Sequence, residues 1–212
     1  LKAGYVPGAV ELPTVSGSAI TVKKNVFSGK ASANYTTSTA KKVIAVNPNS
    51  LPIVRKDGAA AVEAFSPATG AADIKTTVKG VDKIVGEIPL TEAELVVSGG
   101  RGLKGPENWH LVTDLAKELG AATACSRAVA DVDWRPHHEH VGQTGLTVRP
   151  NLYIAVGISG AIQHLAGVNS SKVIVVVNND PEAPFFKAAD YGIVGDAFEV
   201  MPKVLEEYRK FK

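Results

Sequence analysis

Short apolar runs alternate with helix-like segments from about residue 95 to the end of the chain. The helical segments are predicted to open at Pro106, Arg127, Ser159, Glu182 and Asp196. The apolar runs are ELVVS (94–98), AATAC (121–125), LYIAV (152–156), KVIVVV (172–177) and YGIV (191–194). Strands that alternate with helices of about 10–15 residues indicate βαβ units. The pattern therefore predicts an α/β domain with a doubly wound parallel sheet that is covered on both faces.

Residues 1–90 follow a different pattern, in which β-rich pieces are separated by Gly, Pro, Ser and Asn. The pieces are SAITVKKNVF (18–27), KKVIAVNP (41–48), AAVEAFSP (60–67) and DIKTTVKG (73–80). Few of them have an obvious helix to cover them. We expect the boundary at EIPLTEAE, residues 87–94, and therefore a partial, β-rich α/β N-terminal domain over 1–90 and a second domain over 91–212.

The composition is that of a globular protein, with 45% hydrophobic and 21% charged residues in 212. The longest apolar runs are far shorter than the roughly 18 residues of a membrane span, so the chain is not predicted to be membrane-embedded. No secretory signal is visible, and Leu1 in place of a Met suggests a processed or truncated product. Cys125 is the single cysteine, which fits a reducing compartment. We expect the protein to be located in the bacterial cytoplasm.

The charge is uneven along the chain. Residues 1–60 carry eight Lys or Arg against Glu11 and Asp57, whereas the whole chain has a net charge of +2. These basic residues are scattered and lack interleaved aromatic residues. We therefore predict a solvated sheet surface and no nucleic-acid partner.

Polar or glycine residues follow every predicted strand of the second domain. They are SGGRGLKG (98–105), Ser126 and Arg127, GISGAIQH (157–164), Asn178 to Asp180, and Gly195 with Asp196. Ligands of open α/β sheets bind beyond the carboxyl ends of the strands. These junctions therefore predict a ligand site at one edge of the sheet.

The segment GRGLKG, residues 100–105, matches the G-x-G-x-x-G pattern of dinucleotide-binding proteins. The acidic residue expected after the next strand is replaced by Ser126 and Arg127. That difference disfavours NAD but leaves NADP, with Arg127 on a phosphate, as an alternative. A tight turn without any ligand is the other interpretation.

The remaining candidates for chemistry are histidines and the cysteine. His137, His138 and His140 are close in sequence, but neighbouring histidines point in different directions and lack thiol or clustered carboxylate partners, so no metal site is predicted. Cys125 is expected to pack in the core. His164 either faces an anion at the start of a helix or is a core histidine.

Five segments of this sequence together resemble one known family. They are SGGRGLK, CSRAVAD, VGQTG, LYIAVGISGAIQHLAG and NNDPEAPFFKAADYGIVGD. In this order they are similar to the FAD-binding domain of the electron transfer flavoprotein alpha subunit, over essentially all of residues 95–212. Residues 1–90 resemble the latter part of the family's N-terminal domain, whose opening βα segment is absent here.

The resemblance implies an electron carrier, not an enzyme with its own substrate. It would bind FAD, pair with a beta subunit, accept electrons from flavoprotein dehydrogenases such as those of acyl-CoA oxidation, and pass them to a membrane quinone oxidoreductase. An NADP-dependent oxidoreductase and an electron-bifurcating family member are the alternatives. The implied FAD contacts are Arg101, Ser126, Arg127, Val141, Gly142, Gln143, Thr144, Ser159, Gly160, Ala161, Ile162, Gln163, His164, Asn178 and Asp196.

The resemblance also suggests what these residues do. We expect Ser159 to receive the pyrophosphate, Thr144 to bond the N5 edge of the flavin, and Asn178 and Asp196 to bind ribityl or ribose hydroxyls. Arg127 and His164 would supply positive charge or donors near the ring and so raise its potential. The FAD is expected to be retained weakly when the beta subunit is missing.

Overall fold

The computed structural model describes residues 2–27, 29–68, 70, 74–81 and 88–212. The chain divides into two units, Leu1–Leu51 with Ile88–Lys212, and Pro52–Glu87. In the smaller unit the described residues 52–68, 70 and 74–81 are exposed and contain no helix or strand. The strands predicted within 60–67 and 74–80 are therefore wrong, since no neighbouring strand supplies their hydrogen bonds. Residue 73 of the last prediction lies outside the described residues.

The first sheet contains five strands and mixes parallel with antiparallel pairs. Its strands are β1 (Ala3–Ala9), β2 (Thr14–Ser16), β3 (Ala19–Val26), β4 (Ala31–Thr37) and β5 (Lys41–Val46). The order is β2-β3-β1-β5, with β4 also on β3, and only β1 and β5 run parallel among these pairs. The strands predicted within 18–27 and 41–48 are confirmed as β3 and β5, and this β-rich region gains β1, β2 and β4.

The core of this sheet is small. Val6, Ala9 and Val22 are fully buried in it, whereas Tyr5 is 57% exposed and Val43, its partner on β5, is 45% exposed. Side chains on a strand alternate between the two faces. One face of the sheet therefore carries apolar side chains that the described residues leave exposed.

The second sheet has five strands that are all parallel, as predicted. They are β6 (Leu95–Gly99), β7 (Ala122–Cys125), β8 (Leu152–Val156), β9 (Val173–Asn178) and β10 (Tyr191–Val194). The spatial order β10-β9-β8-β6-β7 changes direction between β6 and β8. This place is the topological switch point, where doubly wound folds open a crevice.

Helices cover both faces of this sheet. They are α1 (His110–Leu119), α2 (Arg127–Ala130), α3 (Ile162–Val168) and α4 (Ala197–Phe211). Leu115 of α1 and Met201 of α4 pack on one face with Val97, and Val168 of α3 packs on the other with Val96. The doubly wound fold class is thus confirmed, and none of the helices in the described part of the chain has the length and apolar content that a bilayer crossing requires.

The helix starts differ from the predictions in three places. Pro106 opens a 3₁₀ turn, Pro106–Trp109, before α1, and α3 begins at Ile162 instead of Ser159. No α-helix opens at Glu182, because the Asp180 carboxylate accepts the Glu182 N–H at 2.9 Å and closes a turn, which is followed by the 3₁₀ segment Pro184–Ala188. The start at Asp196 is confirmed, since its carboxylate caps α4 by accepting the Phe198 N–H at 3.0 Å.

Candidate functional site

A cavity of about 600 Å³ opens beyond the carboxyl ends of β6, β7, β8 and β9. This volume lies in the range of small-molecule and cofactor sites. The wall is formed by the loops that leave these strands and by the segment 140–144, so the cavity lies at the switch point between β6 and β8. The edge of the sheet that the sequence predicted is therefore the edge that carries the cavity.

Twelve of the fifteen predicted cofactor contacts line this cavity. They are Arg101, Ser126, Arg127, Val141, Gly142, Gln143, Thr144, Ser159, Ala161, Gln163, His164 and Asn178. Gly160, Ile162 and Asp196 are not among the lining residues. The structure brings the twelve residues together, and their contact with a cofactor stays a prediction.

The glycines of GRGLKG pack against another loop of the protein. The Gly102 N–H donates to the carbonyl of Gly157 at 3.0 Å, and a Cβ on Gly102 would lie 2.7 Å from Gly157 Cα. A Cβ on Gly100 would strike the same Gly157 carbonyl. The absence of side chains thus lets two strand-to-helix loops meet backbone to backbone, which accounts for the motif without a bound phosphate.

The VGQTG segment is fixed to two neighbouring elements through its backbone. The Val141 N–H donates to the carbonyl of Cys125 at the end of β7 at 3.1 Å, and the Gln143 N–H donates to the carbonyl of Gln163 on α3 at 2.7 Å. Thr144 is exposed beside these bonds and lines the cavity. The hydrogen bonds therefore hold the two glycine-bearing segments, before and after β8, against the same cavity.

His164 is a buried residue of the cavity wall. Its Nε2 lies 3.0 Å from the hydroxyl of Tyr153 on β8, and its Nδ1 has no hydrogen bond among the described residues. Burial is the main cause that lowers the pKa of His164 to about 4, and the neighbouring His140 lowers it further. His164 is thus neutral at pH 7. Of the two contributions expected from it, the positive charge is therefore wrong, and the hydrogen-bond donor stays a prediction.

His140 is a second buried histidine at the same wall. Burial lowers its pKa, with opposing contributions from Asp131, which raises it, and Arg127, which lowers it. The sequence analysis treated His140 only as a member of a histidine cluster. Among the described residues no group of three His, Cys, Asp or Glu side chains is arranged to hold a metal ion.

The formal positive charges at the cavity come from arginines. Arg101 follows β6, and Arg127 follows β7, where its Nε lies 3.2 Å from the Asp131 carboxylate. Both arginine side chains are exposed, and Asp131 and Asp180 also line the cavity. The cavity therefore has cations at the edge that solvent reaches and neutral histidines in its buried wall.

Three predicted residues already have structural roles within the protein, as hydrogen-bonding groups or by close packing. The Asn178 side-chain amide donates to the Ile158 carbonyl at 2.9 Å, and its oxygen accepts the Asp180 N–H at 3.0 Å. Asp196 caps α4 and lies 3.6 Å from the Lys104 ammonium. Gly160 has a φ of +81°, and a Cβ there would lie 2.5 Å from Phe185 Cα, so its lack of a side chain serves packing.

Cys125 and Glu139 have structural environments next to the site. Burial raises the pKa of the Cys125 thiol to about 12, which keeps it protonated and confirms that it packs in the core. The buried Glu139 pairs with Arg135, whose guanidinium lies 5.6 Å from the ring centre of Trp109. This ion pair fixes the chain just before His140.

The fifteen predicted FAD contacts leave out eight of the residues that line the cavity. They are Gly102, Ala128, Asp131, His140, Gly157, Ile158, Asp180 and Ala183. Four of them, Gly102, Gly157, Ile158 and Asp180, lie in the polar segments predicted to follow the strands, so the position after a strand end was an available signal for them. Ala128 and His140 directly neighbour a predicted contact. Asp131 and Tyr153, the partner of His164, carry no such signal, because one lies on a turn after α2 and the other reads as an ordinary core position of a strand.

Comparison with known proteins identifies the relatives of this chain. Residues 89–169 match the family model described as the electron transfer flavoprotein FAD-binding domain. Over 211 residues, 99% of this chain, it is 40% identical to the electron transfer flavoprotein subunit alpha of Bacillus subtilis and 43% identical to that of Syntrophomonas wolfei. It is 47% identical over 187 residues, 87% of the chain, to the same subunit of Pseudomonas aeruginosa. The chain spans 65%, 66% and 60% of the lengths of these relatives.

Proposed function

We propose that this chain, which belongs to the electron transfer flavoprotein alpha subunit family, holds FAD in the cavity beyond β6 to β9 and serves as an electron carrier. FAD is the cofactor of the domain that residues 89–169 match. When bound, it supplies the redox chemistry of the protein. The chain would act without turning over a substrate of its own.

The observation that carries this proposal is the convergence of twelve residues on one cavity at the switch point. FAD combines a pyrophosphate, hydroxyl groups and a planar ring, and the wall offers guanidinium, hydroxyl, amide and apolar groups. Arg101, Arg127 and Ser159 can donate to an anion, while Ile158 and Val141 supply apolar surface. The donor set therefore fits a large, anionic, amphipathic cofactor.

The residues of the wall suggest a division of roles. The arginines Arg101 and Arg127 would provide the positive charge that favours an anionic reduced cofactor. Thr144 and Gln163, both exposed at the cavity, would donate or accept hydrogen bonds at the ring or its chain. His164 would contribute an uncharged, fixed ring edge. In this arrangement, electrostatic stabilisation comes from arginine alone.

The NADP-dependent alternative has less support. It needs the glycines of GRGLKG to leave space for a phosphate, but Gly100 and Gly102 use that space for the backbone of Gly157. Arg127 is available to either cofactor. The cavity therefore favours FAD over a nicotinamide nucleotide bound at this motif.

The proposed partners follow from the family. The chain would pair with an electron transfer flavoprotein beta subunit in a heterodimer located in the bacterial cytoplasm. It would accept electrons from flavoprotein dehydrogenases, such as acyl-CoA dehydrogenases, and deliver them to a membrane quinone oxidoreductase. Thr144 and Gln163 line the cavity and are exposed. A second subunit would cover part of the cofactor on this exposed side.

Reconstitution with FAD tests this proposal. The purified chain is titrated with FAD, FMN and NADP, alone and with a purified beta subunit, and the bound nucleotide is identified by chromatography. We expect FAD-specific binding that is weak in the isolated chain and at least about tenfold tighter with the beta subunit. Tight binding of NADP instead of FAD would contradict the proposed function, and tight FAD in the isolated chain would contradict the role of the partner.

Arg127 offers a sharper test of the electrostatic role. Replacement by Ala removes the charge, whereas Arg127→Lys keeps it and changes only the shape of the donor. We expect Arg127→Ala to lower the flavin midpoint potential in the reconstituted protein and Arg127→Lys to retain most of the wild-type value. Unchanged midpoint potentials in Arg127→Ala would show that the arginine has no electrostatic effect on the ring.

A further inference from the structure

Tyr153 has no role in the proposed function, yet its hydroxyl is hydrogen-bonded to a residue of the cavity wall. It lies on β8 and is fully buried, and its oxygen is 3.0 Å from Nε2 of His164 on α3. His164 lines the cavity, whereas Tyr153 does not. The pair therefore connects the core of the parallel sheet to the cavity wall through one side-chain hydrogen bond.

The direction of this hydrogen bond follows from the groups available to each ring. Burial raises the pKa of Tyr153, so its phenol keeps its hydrogen and needs an acceptor. The nearby Ser98 hydroxyl lowers that pKa but has no hydrogen bond of normal length among the described residues. Nε2 of His164 is the acceptor within reach. If His164 donated instead, the buried phenol hydrogen would have only the Ser98 hydroxyl to accept it, and that hydroxyl has no hydrogen bond of normal length among the described residues.

A neutral imidazole that accepts at Nε2 carries its hydrogen on Nδ1. The other side of the His164 ring agrees with this assignment. The backbone carbonyl of Val141 raises the pKa of His164, as a nearby acceptor of an N–H does, although no hydrogen bond of normal length joins them. Phe185 packs its ring edge-on at 5.6 Å from His164 and tilted at 6.4 Å from Tyr153. The aromatic contacts therefore restrict the rotation of both rings.

We propose that Tyr153 is a positioning residue that donates its hydroxyl hydrogen to Nε2 of His164 and so holds this ring in one orientation, as the Nδ1–H tautomer, at the wall of the cofactor cavity. The importance of this orientation for FAD rests on the function proposed above, whereas the tautomer itself does not. Val141 belongs to the segment that borders the cavity. The bond from Tyr153 thus aligns His164 with that segment before any cofactor enters.

The titratable and charged groups around His164 are consistent with a neutral, fixed ring. His140 lies on the side of the VGQTG segment and Tyr153 on the side of β8. Arg127 and Asp131 are further along the same wall, and they act on His140 with opposite effects. None of these groups is a buried carboxylate that could pair with a positive charge on His164, so the uncharged ring is the favoured form.

The first test reads the tautomer directly. The full chain is labelled with ¹⁵N-histidine, and the ring nitrogens of His164 are assigned by their loss in His164→Gln. We expect one protonated nitrogen, Nδ1, and one unprotonated nitrogen, Nε2, in the wild type at pH 7. A hydrogen on Nε2, or a doubly protonated ring at pH 7, would overturn the proposal whether or not the protein binds FAD.

The second test removes only the hydroxyl. Tyr153→Phe keeps the ring and its packing, and Tyr191→Phe, at a position on β10 that is 68% exposed, is the matched control for the same chemical change. We expect Tyr153→Phe to give a mixture of both His164 tautomers and to weaken FAD binding by about two- to tenfold, the size of one hydrogen bond. Tyr191→Phe should change neither.

The two readouts separate this inference from the proposed function. One outcome is that His164 has a single tautomer in the wild type and a mixture in Tyr153→Phe, while the protein binds no FAD. That outcome would support the positioning role and contradict the flavin function. An unchanged tautomer in folded Tyr153→Phe, as judged by its circular dichroism spectrum, would contradict the positioning role. If Tyr153→Phe does not fold, the wild-type ¹⁵N spectrum still decides the tautomer.

Discussion

The two sheets of this chain have the same number of strands but differ in how they are buried. In the sheet of β6 to β10 all pairs are parallel, and two apolar clusters cover its faces. In the sheet of β1 to β5 most pairs are antiparallel and three residues form the buried core. The residues that line the cavity all lie between Arg101 and Ala183, in the region of the parallel sheet. The comparison indicates that the site depends on the larger buried core of the parallel sheet, because this core fixes the positions of the strand ends that form the site.

The difference also concerns the use of glycine. In the parallel region, Gly160 lets the loop after β8 pass directly against the backbone of Phe185. In the first sheet, Gly17 occupies a turn between β2 and β3 with nothing within 4 Å of the place of a Cβ. Both glycines have a positive φ, +81° and +59°. They therefore share a positive φ, which favours glycine, and differ in the space around the Cα.

The largest expected effect comes from replacing Gly160 by alanine, and Gly17→Ala serves as its comparison. Gly17→Ala incurs only the strain of a positive φ, about 1 kcal/mol. Gly160→Ala adds a clash with backbone atoms, and we expect a total loss of about 3 kcal/mol or more in the free energy of unfolding. Urea unfolding followed by circular dichroism measures both. Equal losses in the two variants would show that the loop after β8 adapts and that its packing is not restrictive.

A contrast in the apolar content of the strands explains how much of the fold the sequence predicted. The five strands of the parallel sheet were found because each is a short apolar run. In the first sheet β4 reads ASANYTT and β2 reads TVS, where polar residues obscure the strand pattern. The helix predicted at Glu182 was wrong because Asp180 closes a turn there and Pro184 opens a 3₁₀ segment instead.

The site was predictable at its strand ends and less so beyond them. Ser126 and Asn178 directly follow apolar runs, Ser159 comes three positions after one, and topology alone points to them. The pairing of Tyr153 with His164 is a contact between a strand and a helix, which neither periodicity nor spacing reports. For the same reason a positive charge on His164, one of the two contributions expected from it, was wrong, since the charge depends on burial that only the folded chain reveals.

Acid should affect the parallel region through His164. Burial lowers its pKa to about 4, whereas a histidine in an unfolded chain has a pKa of about 6.5. Below pH 6.5 the unfolded chain binds a proton that the folded chain excludes, so stability present above pH 6.5 is lost as the pH falls toward 4. At pH 4.5 this amounts to about 2 to 3 kcal/mol for this group.

His164→Gln removes that titration. We expect the variant to lose less stability than the wild type between pH 7 and pH 4.5, by about 2 to 3 kcal/mol, even if it is less stable at pH 7. Urea unfolding at the two pH values provides the comparison. Equal losses for both proteins would mean that His164 is accessible to protons in the folded state, which would contradict a fully buried wall of the cavity.

The smallest expected effect concerns a link between the two regions. Asn49, after β5, donates from its side chain to the carbonyl of Arg149 at 2.8 Å and to the Asn151 side chain at 3.1 Å, just before β8. Its φ is +52°, a conformation that asparagine tolerates better than most residues. Asn49 thus combines two contributions, a backbone preference and a set of hydrogen bonds.

Two variants separate these contributions. Asn49→Gly keeps the backbone conformation and removes the hydrogen bonds, so we expect a loss of about 1 kcal/mol in unfolding free energy. Asn49→Ala removes the bonds and adds strain, which brings the loss to about 2 kcal/mol. FAD affinity should be unchanged in both, because Asn49 lies outside the cavity lining. Weaker FAD binding in Asn49→Gly would mean that the first sheet influences the site through this link, and the site would then no longer depend on the parallel sheet alone.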